Sequence, residues 1–476
     1  MLAAWVPLGL ALFGGGVVAA LLRRHGWSWQ ASWPYVLAMA PAVGFGLASL
    51  GFFFWVFAGF HPPGAWTLMG LMLGLALVLV GPVHGRQRSG LEDGSEGIVQ
   101  PLFKVRPGWR LTWQDVIVAL LVLVTLGLVV FSFFPMQEFQ PFGFYDAVAI
   151  WNVRAFFLFR SQGDLGELYA DLKFGHPDYP LLLPGTLAAQ YSLLGREDVA
   201  IPQVTGLLFA LSACLALALL VARYSALPAA VSAAVLIAVT PCFWRWLYAQ
   251  YADLPLAYLL LLATLTLASQ LEAPTRRLPA TLAGFCFGLL TWIKNEGLVL
   301  AFLLAVSLVL VLLVTRDLRR EWLQRGVWFG IGALPVLTAL GLFKMFWSPQ
   351  NETGMFLQGA IAKVLTWERW WIIIRALFAE LNPVTGIAAW GLLWPFVIVA
   401  GVIFWRQRRA VGRPHLMISA MVVLAWATWF TIYLCTPADL EWHLGSSLKR
   451  LMLQLAPLTL AWSLLGVGRA DEESRA

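Results

Sequence analysis

The chain has 476 residues, 60% of them hydrophobic and only 12% charged, with a mean hydropathy of +0.77. Apolar runs of about 20 residues recur throughout, which excludes a soluble globular domain and reads as an all-α, polytopic integral membrane protein. The formal net charge of +7 sits in short loops between those runs, a distribution that excludes nucleic-acid binding in favour of ordinary membrane electrostatics.

In chain order, the first apolar run (1–22) lacks the basic leader of a cleaved signal and is followed by Arg23 and Arg24, so it reads as a retained span. Runs at 34–60 and 63–82 complete an N-terminal three-span unit over 1–82. The polar stretch 83–114, with LEDGSEG inside it, reads as a cytoplasmic linker. A span at 115–134 opens a core that extends to 470, and the long non-spanning segment 135–200 follows it. Further spans are expected at 201–222, 226–244, 253–270, 279–293, 297–314, 327–347, 384–405, 416–434 and 450–468, about 13 in all, with a cytoplasmic tail at 471–476. Cys214, Cys242, Cys286 and Cys435 are scattered and match neither a disulfide framework nor a zinc spacing.

Charge sets the orientation. Alternate assignment of the loops puts 20 of the 32 basic residues on one side, concentrated in short loops such as RDLRRE and RQRRAVGR. The positive-inside rule makes that side cytoplasmic. The segments 135–200, 245–252, 348–383 and 435–449 then lie on the opposite face. So do the awkward polar residues: Asp146 after a strongly apolar run, His176 to Pro180 (HPDYP), Asp253 in YAQYADLPLAY, Lys294 and Glu296 in KNEG, and His443, Lys449 and Arg450 in EWHLGSSLKRLMLQ. Charge that close to a bilayer is costly to retain and marks a candidate site.

In order, FGFYDAVAIWNVRAFFLF, HPDYPLLLP, YADLPLA, WIKNEG and HLGSSLKRLMLQ together resemble the GT-C superfamily of membrane glycosyltransferases. The nearest likeness is to bacterial relatives of the dolichyl-phosphate-mannose protein mannosyltransferases and the lipid A aminoarabinose transferase. The resemblance covers roughly 115–470 and leaves 1–114 as an addition. It implies a GT-C-like core with amphipathic helices in the first outer loop, in the cell (inner) membrane. It further implies sugar transfer from a polyprenyl-phosphate donor to a lipid, glycan or small acceptor on the periplasmic or extracellular face, with inversion. Asp146 takes the place of the catalytic base, alone, because Ala147 stands where the mannosyltransferases carry Glu.

Each residue also has a plainer reading. Asp146 and Asp253 both stand where an Asp caps a helix. Lys294 and Arg450 stand where cations snorkel to the interface, although a guanidinium fork at Arg450, helped by Lys449 and His443, suits a lipid phosphate. Arg154 lies on an amphipathic helix expected to rest its apolar face (Trp151, Ala155, Leu158) on the membrane, facing headgroups or a donor phosphate. His176, Asp178 and Tyr179 belong to a rigid proline-bracketed turn, structural or substrate-lining in role; His176 and Asp178 also offer the weaker reading of a metal site. Asp146 and Asp253 are a candidate pair for a divalent cation, but their spacing demands none. The rival function is a transporter or flippase of lipid-linked sugars, disfavoured by the absence of an internal repeat and by polar groups gathered at one face.

Overall fold

A computed structural model describes residues 2–24, 29–80, 127, 138–161, 169, 175–225, 227–272, 277–315, 319–349, 359–407 and 412–465. The linker, the expected span at 115–134 (127 apart), the tail and most of the basic loops lie outside the described residues.

Every regular element among them is helical. Three helices come first: α1 (Leu2–Arg24), α2 (Trp29–Phe57) and α3 (Ala65–Val80). A π-helical turn, Ala147–Trp151, runs straight into α4 (Asn152–Arg160). Then follow α5 (Leu182–Leu194), α6 (Ala200–Tyr224), α7 (Leu227–Ala238), α8 (Pro241–Tyr248), α9 (Asp253–Glu272), α10 (Arg277–Ile293), α11 (Asn295–Val314) and α12 (Arg319–Phe346). The last six are α13 (Ala360–Leu365), α14 (Trp367–Leu381), α15 (Ile387–Trp390), α16 (Leu393–Gln407), α17 (Arg413–Cys435) and α18 (Leu440–Leu464).

Thirteen spans are expected from the sequence. Among the described residues, seven helices are long and apolar enough to cross a membrane: α1, α2, α6, α9, α11, α12 and α17. The pair α7 and α8, bent by 54° at a break beside Pro241, makes an eighth if counted as one span. The apolar stretches of α3, α10 and α16 are shorter than 18 residues.

α2 and α9 are apolar around their whole circumference, the pattern of a helix enclosed on all sides, and both are almost entirely buried. Buried polar atoms pin them together. The Tyr258 hydroxyl of α9 donates to the Ala38 carbonyl of α2 at 2.6 Å. Trp292 of α10 donates to Ser49 Oγ of α2 at 3.1 Å, and Ser49 donates on to the Leu181 carbonyl at 3.1 Å. α2 also packs on α5 and α6, so it stands within the bundle. α10 and α12 approach most closely at two glycines. A Cβ on Gly284 would lie 1.9 Å from the Phe329 carbonyl oxygen, and one on Gly332 would lie 1.9 Å from that of Thr281. Small residues allow such backbone contact between helices in lipid.

α4 corrects one expectation. Trp151, Ala155 and Leu158 do share a face, but all three are buried against the protein rather than turned to lipid. The partner is α5, with Phe156 stacked on Tyr191 at 5.6 Å.

Candidate functional site

The π-helical turn that leads into α4, the end of α8, the start of α9, the α10–α11 junction and the first half of α18 meet at one end of the bundle. Asp253 is at their centre and is fully buried. A carboxylate taken out of water is tolerated only if charges and hydrogen bonds replace its hydration. Three donors do so. Lys294 Nζ donates to Oδ1 at 3.0 Å, Gln454 Nε2 donates to Oδ1 at 2.6 Å, and Arg450 Nε donates to Oδ2 at 3.0 Å. The other arm of the Arg450 guanidinium, Nη2, lies 2.7 Å from Asp146 Oδ2. Arg450 therefore bridges a buried carboxylate and a partly exposed one, each of Arg450 and Asp146 being 16% exposed. Lys294 Nζ also reaches Glu296 Oε1 at 2.8 Å. Three carboxylates against two cations leave the cluster one negative charge.

Aromatic rings wall the cations. The Arg450 guanidinium lies 4.8 Å from the Tyr251 ring and 5.8 Å from that of Trp246, a cation–π setting that favours the charged form. The Asp146 amide donates to the Tyr251 hydroxyl at 3.1 Å, and the Phe144 amide donates to the Ala249 carbonyl at 3.1 Å. These bonds stitch the head of α4 to the α8–α9 connection. Asn152 Nδ2 donates to Gln250 Oε1 at 2.8 Å, and Gln250 donates to the Pro141 carbonyl at 3.1 Å, completing the seam. Burial pushes the Tyr251 phenol above its ordinary pKa, so its hydroxyl keeps its proton at neutral pH.

The HPDYP turn packs over the π-helical turn. Gly175 has φ +71°, and a Cβ there would lie 2.4 Å from the Ala149 carbonyl oxygen, so only glycine fits. His176 follows with φ +52° and is exposed. Its ring stacks on Tyr179 at 4.7 Å, and Tyr179 stacks on Trp151 at 5.7 Å. The Lys294 ammonium is 5.8 Å from the Tyr179 ring centroid. Burial, with Glu296 nearby, raises the Tyr179 phenol well above its usual value. Arg154 holds the turn in place. Its guanidinium is buried and donates to the Tyr179 carbonyl at 2.8 Å, to the His176 carbonyl at 3.4 Å and to the Tyr169 hydroxyl at 3.3 Å.

The sequence-derived residues thus divide. Asp146, Asp253, Lys294, Glu296 and Arg450 form one network, with Tyr179 against it. Asp146 makes no side-chain capping bond to its helix, because its carboxylate is turned to Arg450. Lys294 is 2% exposed and does not snorkel; Asp253 holds it inside. Arg154 faces neither headgroups nor a phosphate site, since the carbonyls of the turn occupy it. His443 and Lys449 share the first turns of α18 but pair elsewhere. His443 Nδ1 is 2.8 Å from Thr436 Oγ1, and Lys449 Nζ is 3.1 Å from Glu380 Oε1. Asp146 and Asp253 have the Arg450 guanidinium between them, and no group of three His, Cys, Asp or Glu side chains among the described residues is placed to hold a metal. Sequence reasoning missed Gln454 and Tyr251. Gln454 was within reach, one helical turn after Arg450 and so on the same face.

No protein-family model matches the chain, and neither does any curated protein or solved structure.

Proposed function

We propose that the chain is a membrane glycosyltransferase that moves a sugar from a polyprenyl-phosphate donor to an acceptor hydroxyl, at the non-cytoplasmic face. The observation that carries the reading is the Asp146–Arg450–Asp253 bridge, in which one guanidinium is anchored by a buried carboxylate and offers its other arm to a partly exposed one. The buried arm fixes the guanidinium. The exposed arm is exchangeable, because a lipid phosphate competes with Asp146 for Nη2 through the same charge-assisted bond. Arrival of the phosphate then releases Asp146 beside the reacting centre.

In this scheme Asp146 takes the proton of the acceptor hydroxyl, the oxygen attacks the anomeric carbon, and the carbon–oxygen bond to phosphate breaks. The bond electrons leave on the phosphate, whose charge Arg450 stabilises. A single displacement inverts the anomeric centre. A small cavity of about 20 Å³, lined mainly by Leu183, Leu187, Phe209, Trp246, Tyr251 and Leu254, lies beside the network and is too small for a prenyl chain.

Asp146→Asn keeps the shape but cannot accept a proton. In proteoliposomes with radiolabelled polyprenyl-phosphate sugar it should lose transfer by about 10²- to 10⁴-fold, the usual worth of a general base, while donor binding persists. Transfer near the wild-type rate in Asp146→Asn would remove Asp146 from the chemistry. The break between α7 and α8 favours a second reading, since transporters place sites on interrupted helices. Movement of labelled lipid-linked sugar between leaflets, with no transferred product, would establish that reading instead.

A further inference from the structure

α14 has two faces of opposite character. At 100° per residue, Trp367, Trp371, Ile374 and Phe378 fall within an arc of about 60°, and they are 68%, 58%, 41% and 66% exposed. The opposite face is engaged. Ile373 is fully buried, and Trp370 packs on Phe430 of α17 at 5.3 Å. Arg369 Nε donates to the Leu434 carbonyl at 2.9 Å and its Nη2 to that of Tyr433 at 3.1 Å, the last carbonyls of α17. Glu380 accepts the indole N–H of Trp390 at 2.8 Å and pairs with Lys449 at 3.1 Å.

We propose that the outward stripe of α14 is a docking surface for the bilayer itself, with the helix lying in the lipid–water boundary. Three observations select lipid as the occupant. First, Arg369 bolts α14 to the terminal carbonyls of α17, one of the membrane-capable helices, so the stripe stands at the level where a span leaves the hydrocarbon. Second, the stripe continues into α13, where Ile361 and Leu365 are 80% and 78% exposed, a band of aromatic and aliphatic side chains too large to leave in water. Third, two of its four members are Trp, the residue that settles at the headgroup level, and exposed Arg375 stands at the edge of the stripe, where an anionic headgroup pairs with it. The helix thereby joins the membrane boundary, through Glu380 and Lys449, to the turn of α18 that carries Arg450.

The test is spin-label accessibility on the full chain in vesicles of phosphatidylcholine and phosphatidylglycerol. Labels are placed at Ile374→Cys, Phe378→Cys and, as the water-facing control, Glu368→Cys, in a chain whose four native cysteines are replaced by serine. Labels at 374 and 378 should collide with oxygen in preference to a nickel chelate by roughly threefold or more over the label at 368, as side chains at the headgroup–acyl boundary do. Ile374→Cys is the milder change and stands in if Phe378→Cys does not fold. Equal nickel access at 374 and 368 would overturn the proposal. So would dipolar broadening between labels on two molecules, which would mean that a second copy covers the stripe.

Discussion

Lys294 sets the energetic scale of the site at the level of single residues. It is one of three donors to the fully buried Asp253, and removing it leaves that carboxylate one charge short. Breaking a buried pair from one side costs about 3–5 kcal/mol, far more than the pair is worth against an apolar replacement. Lys294→Met should therefore lower the thermal transition in detergent clearly. Glu296→Gln removes a carboxylate that is 22% exposed, whose partner keeps Asp253. Its expected cost is about 1 kcal/mol or less. Equal destabilisation by the two changes would mean that the network is not centred on Asp253. This centring was not legible from the sequence. KNEG shows a cation and an anion two residues apart and invites a local neutralisation, whereas the partner that matters lies 41 residues earlier, in YADLPLA.

At the scale of elements, the α10–α12 contact depends on the absence of side chains. Gly284→Ala puts a methyl group 1.9 Å from a backbone oxygen, and neither helix backbone can yield without parting the pair. Several kcal/mol should be lost, as in the costlier overpacked cores. Gly330→Ala, on the same face-to-face pair but with open space around its Cβ, should be neutral or slightly stabilising, since Ala is the better helix former. Melting curves of the two variants decide it, and similar behaviour would refute the close approach. The seven membrane-capable helices coincide with expected apolar runs, but α5, α13 and α14 fall in segments read as non-spanning and the run at 226–244 is broken at Pro241. How the helices handle their surface was not readable from run length. AVAIWNVRAFFLF and WERWWIIIRALFAEL have the same amphipathic character, yet the first turns its apolar face into α5 and the second turns it outward. Periodicity fixes which residues share a face, and only tertiary contact decides what that face meets.

For the whole molecule, the proposed orientation rests on charge asymmetry alone and would put the Asp253 network on the face opposite the basic loops. Arg196→Cys lies in the loop before α6 and Gly412→Cys in the connection before α17. In intact cells an impermeant thiol reagent should label position 196 and spare 412. The reverse pattern would invert the protein. The five charged members of the network were legible because charge in an apolar chain is conspicuous, whereas Gln454 and Tyr251 were not. The mutual pairing was not legible either, because it joins the chain before α4 with α9, the α10–α11 junction and α18 across separations of up to 304 residues.

The bend between α7 and α8 carries one more consequence, which concerns depth. α7 has 12 residues, which rise about 18 Å, against a hydrocarbon core about 30 Å thick. A chain that enters at the basic side is still on the order of 12 Å short of the far headgroups when it breaks at Pro241. α8 recovers about 7 Å of that across the 54° bend, and Asp253 opens a helix of 20 residues, about 30 Å long, so in the proposed topology the network would lie at the membrane boundary, reached through a broken span. Acyl chains around such a bend would thin to follow it. With a lipid-borne donor as proposed, that thinning would draw its phosphate toward Arg450, and the thickness of the surrounding bilayer would set how well the two meet.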